Sequence, residues 1–164
     1  MSASVGGRHV AAGAVVRELI DRQDICTALA AYCRLADLNR PEEQVAVFTE
    51  DCRVSYAGPG RWIEGRTALV ESLRRALAAY SATSHVLGLP EIDFIPESAR
   101  AVVSTPVHAW HRRRDGGPDF LLYGRYDDEW RRTDEGWRLA VREFRAAGAT
   151  GRDEAALNPL GRAR

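Results

Sequence analysis

The stretch "RAVVSTPVHAWHRRRDGGPDFLLYGRYDDEWRRTDEGWRLAVREFR", residues 100–145, decides the fold. Within it, residues 100–112, 120–132 and 137–145 are long runs that suit a pleated, half-buried surface. The links between them, "DGGPD" and "TDEG", are short and polar and contain Gly, Asp or Pro, the residues of tight turns. Three long strands joined in this way form an antiparallel meander.

Working outward, "SHVLGL" (84–89) sets His85, Leu87 and Leu89 against Ser84, Val86 and Gly88, the period of a strand. "EIDFI" (91–95) follows after a bulge or bend at Pro90. "CRVSYA" (52–57) puts Cys52, Val54 and Tyr56 on one face of a further strand. "GPGRW" (58–62) reads as a turn or small flap. The remainder is helical. Over residues 14–38, Leu19, Cys26, Leu29, Ala30, Cys33 and Asp37 share a face, flanked by Ile20, Ile25, Tyr32 and Ala36. "NRPEEQ" (39–44) breaks and restarts the chain, because Pro41 suits a first helical turn and Glu42 and Glu43 favour its positive end. This short helix ends near Phe48. Residues 67–80 carry a third stripe of Leu69, Val70, Leu73, Leu77 and Tyr80. Helices first, interrupted by one strand, then a long sheet, predict an α+β cone: N-terminal helices packed in a curved, mainly antiparallel sheet, with a cavity open at one end.

A length of 164 residues predicts one domain, over residues 13–147, between a flexible arm (1–12) and a flexible tail (148–164). A formal net charge of zero gives no general attraction to nucleic acid or to a membrane surface. All 23 basic residues are Arg, which with abundant Ala and Gly reads as coding bias. No apolar run approaches the ~18 residues of a membrane span and no signal segment opens the chain, so a cytoplasmic protein is expected. Cys26, Cys33 and Cys52 show neither zinc spacing nor a disulfide framework, and no metal is expected.

One residue violates the pattern. Asp37 closes an apolar helical stripe at the end where the helix dipole disfavours a negative charge. A carboxylate there is costly unless paired. His85, beside Leu87 and Leu89 on its strand face, also points inward. If the two meet, Asp37 accepts the proton of one ring nitrogen and raises the basicity of the other.

Tyr32-x4-Asp37, "VAVFTEDCRVSY", "EGRTALVESL", "SHVLGL", "YGRYDDEW" and "GWRLAVREF", in this order, make the chain resemble the SnoaL-like branch of the nuclear transport factor 2-like superfamily over about residues 14–146. That branch includes scytalone dehydratase-like and bile-acid dehydratase-like proteins. The resemblance implies a helix-borne aspartate and a strand-borne histidine as an acid–base pair helped by a tyrosine, here Asp37, His85 and Tyr32. It implies a cofactor-independent dehydratase, isomerase or cyclase acting on an apolar oxygenated small molecule, in a homo-oligomer (dimer or trimer). Tyr56, on an inward strand face, is a further substrate-binding candidate. Of the histidines in "HAWH", His108 is the one expected to line the cavity, and Tyr126, which shares a face with Phe120 and Leu122, is the tyrosine chosen from its strand. Such relatives often carry a polar residue where this chain has Leu89, which implies a greasier ligand. Arg142 stands where relatives often have a basic residue; it either holds an anionic or carbonyl group or lies at a surface or interface.

Two further readings belong to the fold. Arg125-x-Asp127 resembles the Arg-x-Asp of limonene epoxide hydrolase-like proteins, although an exposed cross-strand ion pair is the preferred reading. The domain is otherwise a non-catalytic ligand-binding or assembly module, with its cone plugged by side chains. Arg112-Arg113-Arg114 forms either a phosphate clamp or a solvated strand end.

Overall fold

The computed structural model describes residues 5–58, 60–151 and 154–161. In chain order they form α1 (Val5–Asp37), α2 (Pro41–Gln44) running into a 3-10 turn (Val45–Val47), β1 (Phe48–Ser55), β2 (Ile63–Glu64), α3 (Arg66–Ala78), β3 (Tyr80–Leu87), β4 (Glu91–Phe94), β5 (Arg100–Arg113), β6 (Phe120–Thr133), β7 (Gly136–Thr150) and a final 3-10 turn (Glu154–Ala156). This is the expected α+β architecture, with the N-terminal helix against a curved mixed sheet.

The sheet runs β2-β1-β7-β6-β5-β3, and β4 also pairs with β5. All neighbours are antiparallel except β1 and β7, which run parallel. Consequently β3 and β4 lie end to end along one edge of β5, β3 on its second half and β4 on its first. Register shifts interrupt β6–β7 between Tyr123 and Gly124 and again between Glu129 and Trp130. Such bulges add local twist and bend a sheet. Glycine is required at the first of them: a Cβ on Gly124 would meet the Arg145 carbonyl oxygen at 2.1 Å and the Phe144 ring at 2.9 Å.

The helix α1 lies along the inner face of the sheet. Its buried residues include Leu29 and Cys33 of the expected face together with Ile25, Tyr32 and Ala36 of the expected flank, and Asp21, so the stripe is rotated toward that flank. Leu19 and Ile20 are more than half exposed, and Ala30 faces outward. The offset has a polar cause. Asp21 is buried in an ion pair with Arg132 of β6, and Arg22 donates to the Ile92 carbonyl at 2.9 Å, so two charged residues help set the rotation of α1. The helix also begins at Val5, not near residue 14; residues 1–4 of the expected arm lie outside the described residues.

The C-terminal segment departs from the expected flexible tail. β7 continues to Thr150, and the chain then returns to the sheet. Leu157 joins the core cluster, and Asn158 donates to Glu143 at 3.0 Å and to the Ser55 hydroxyl at 3.4 Å. Backbone bonds between Ala146 and both Asn158 and Leu160, at 2.7 Å each, fasten it to β7. Residues 152–153 and 162–164 lie outside the described residues.

Candidate active site

Asp37 owes its position to how α1 stops. The Arg40 N–H bonds to the Leu35 carbonyl and the Asn39 N–H to the Ala36 carbonyl, with Asn39 at a φ of 54°. This is a Schellman closure, in which Asn replaces the usual glycine. It holds the last helical residue rigidly beside β3. Because β3 is a sheet edge, its outward N–H groups lack a strand partner. One of them, the His85 N–H, donates to Asp37 Oδ2 at 3.0 Å. Thr83 Oγ1 donates to Oδ1 at 2.8 Å, and His85 Nδ1 lies 2.7 Å from the same oxygen.

Burial pushes the Asp37 carboxyl upward, but hydrogen bonds from the His85 ring, the His85 N–H and Thr83, with the charge of His85, outweigh it and hold the group below its ordinary range. An ionised carboxylate only accepts, so Nδ1 carries the donated proton, and whenever the ring is neutral Nε2 is its basic atom.

The histidine lines a cavity of about 370 Å³. Tyr32, Tyr56, Tyr80, His111 and Tyr126 supply its polar groups; Leu73, Leu77, Ala109, Leu122 and Phe144 supply apolar wall. Arg61 and Trp62, from the segment expected as a flap, also line it. The hydroxyls of Tyr32 and Tyr56 are 2.5 Å apart. Burial raises the pKa of both phenols, so they stay protonated and able to donate. On the opposite side of His85, an open groove is lined by Ala30, Cys33, Arg34, Asp37, Leu38 and Leu87. Cys33 there is a poor nucleophile, since burial pushes its thiol up to about 11.

The structure therefore brings together Asp37, His85, Tyr32, Tyr56 and Tyr126 and corrects two positions. His108 is on the outer face of β5, against Tyr123 with ring centroids 5.0 Å apart. His111 lines the cavity instead, stacked on Phe120 at 4.3 Å, with Nδ1 at 3.1 Å from the Ala109 carbonyl. Its ring centroid is 5.5 Å from that of His85. Register gives the reason: Ala109 is opposite His85 and His111 opposite Thr83, and opposed residues share a face. Leu89 is 92% exposed, because β3 ends at Leu87 and the strand period stops there.

Arg142 lies neither at the surface nor on the cavity wall. It is fully buried, paired with Asp128 at 2.8 and 2.6 Å. Arg125 and Asp127 pair at 2.8 Å on the other face of the sheet, away from the cavity. The triple arginine is occupied: Arg112 faces Asp119, Arg113 pairs with Asp115, and Arg114 donates to the carbonyls of Ala78 and Tyr80. No group of three or more metal-ligating side chains is assembled among the described residues.

Thr83 was missed in the sequence, and His111 was weighed there but passed over for His108. Thr83 is two residues before His85 and so on its face, a signal available from strand parity alone.

A family model described as a SnoaL-like domain matches residues 17–143. The chain belongs to the SnoaL-like domain family. Among its relatives is "Uncharacterized protein Rv2910c" of Mycobacterium tuberculosis, 31% identical over 132 residues, covering 77% of this chain and 86% of the relative. A crystal structure named "Putative Scytalone Dehydratase", from Novosphingobium aromaticivorans, is 37% identical, covers 90% of this SnoaL-like chain and 97% of its own, and superposes with a TM-score of 0.82. A nuclear transport factor 2-like superfamily protein from Salmonella enterica, 19% identical with a TM-score of 0.70, covers 79% of this chain and 92% of its own and shares the fold.

Proposed function

We propose that this SnoaL-like protein is a cofactor-independent lyase that removes water from an apolar, oxygenated small molecule. The observation that carries the reading is His85, held by Asp37 at 2.7 Å, on the wall of a largely apolar cavity that also carries several phenols. The 37% identity to the protein named as a scytalone dehydratase supports the same class of reaction.

In this reading Nε2 of His85 takes a proton from the carbon next to a carbonyl. Asp37 stabilises the imidazolium that results. The carbonyl oxygen gains charge and accepts hydrogen bonds from the Tyr32–Tyr56 pair. The carbon–oxygen bond at the β position then breaks, and the imidazolium gives its proton to the departing hydroxyl. The products are an unsaturated ketone and water. His111, near His85 on the same wall, supports the leaving group.

The test is a panel of β-hydroxy ketones, aliphatic and aromatic, followed by the ultraviolet absorbance of the conjugated product. His85→Ala and Asp37→Asn should each lower kcat by about 10²–10⁴, the usual contribution of a placed acid–base group. Circular dichroism should show an unchanged fold. Unimpaired turnover in either variant, or tight ligand binding with no turnover across the panel, overturns the reading.

A further inference from the structure

Against the ring of Tyr32 is a charge that the proposed chemistry does not use. Asp128 of β6 and Arg142 of β7 are cross-strand partners, and both side chains have no exposed surface. The guanidinium makes two bonds to the carboxylate, from Nε at 2.8 Å and Nη2 at 2.6 Å. Its carbon is 4.4 Å from the centre of the Tyr32 ring and 3.9 Å from that of Tyr126. The remaining nitrogen, Nη1, is buried without a hydrogen-bond partner.

As a structural device this is extravagant, because two apolar side chains of similar volume stabilise such a position as well or better. What apolar side chains cannot supply is a fixed positive charge against the ring of Tyr32. A phenolate spreads its negative charge into the ring, so a cation on that ring favours partial ionisation of the hydroxyl. Burial pushes the Tyr32, Tyr56 and Tyr126 phenols upward, and the charge of Arg142 opposes it at all three. Tyr56, Tyr126 and Cys33 are the neutral titratable groups around Tyr32, and Asp128 acts against Arg142 from behind the guanidinium.

We propose that Arg142, held by Asp128, is a positioning residue that makes the Tyr32–Tyr56 phenol pair a stronger donor to a substrate oxygen gaining negative charge. This rests on the oxygen-holding role given to those phenols above.

The experiment reads the phenol, not turnover, so its failure is distinguishable from failure of the dehydratase reading. Trifluorotyrosine, whose phenol titrates far lower than tyrosine, replaces Tyr32, and its ionisation is followed by fluorine NMR. In the double variant Arg142→Met with Asp128→Leu, the transition should rise by about one unit or more, a tenfold loss of acidity. Arg142→Lys, which keeps the charge, should recover at least half of that shift. An unchanged transition in the folded double variant, or no recovery with lysine, overturns the proposal. Should the double variant not fold, the nitrogen-15 signal of the Arg142 side chain in the otherwise unsubstituted protein decides: it moves as the fluorinated phenol ionises, and a stationary signal overturns the assignment.

Discussion

Three donors converge on Asp37, and each affects its charge. Asp37 has a lowered pKa in the folded chain, so it stabilises the fold fully above the unfolded value of about 3.9. That stabilisation is lost as pH falls through the folded value. Thermal melts of Asp37→Asn should therefore lie below wild type by a steady margin from pH 7 to about pH 4 and close on it as the pH falls further; a margin that stays unchanged below pH 4 contradicts the assignment. At the same scale, His111→Ala should lower turnover by about tenfold or more, while His108→Ala, on the outer face, leaves it unchanged; initial rates on one substrate decide. Asp37 and His85 were legible because each is polar in an apolar series. The choice between His108 and His111 was not made from parity, although Ala101, Val103, Val107 and Ala109 already mark the inward phase of β5. Leu89 misled because alternation was extended past Leu87, where no strand remains to carry it.

Among the elements, the strands were read more accurately than the rotation of the first helix. The meander was legible because each strand is long and each turn carries Gly, Asp or Pro. The stripe on α1 was offset because hydrophobicity alone ignores Asp21 and Arg22, whose partners Arg132 and Ile92 come from distant strands. Burial now separates two leucines that periodicity treated alike. Leu29, 2% exposed, should cost about 2–5 kcal/mol when replaced by Ala, and Leu19, 60% exposed, should cost within about 0.5 kcal/mol when replaced by Gln. Urea denaturation of the two variants measures the difference, and equal losses would contradict the helix rotation described above.

For the whole molecule, the cone depends on ties that no local pattern announces. The C-terminal return was invisible because Leu157 and Asn158 are isolated in a small, polar sequence, and their partners Ser55 and Glu143 lie on other elements. Since Ala156 also accepts from the Gly58 N–H at 2.8 Å, this segment braces the loop that carries Tyr56 and Trp62 to the cavity. Ending the chain after Thr150 should cost about 2–4 kcal/mol, from one buried leucine and several hydrogen bonds, measured by the denaturation midpoint. The parallel contact of β1 with β7 has a different consequence, for synthesis. During translation, β1 emerges with the early helices, yet its neighbour is the last strand to leave the ribosome. Until then one flank of β1 offers unsatisfied amides to any passing chain. Such a topology ties the exposure of that flank to the rate at which the ribosome delivers the final strand.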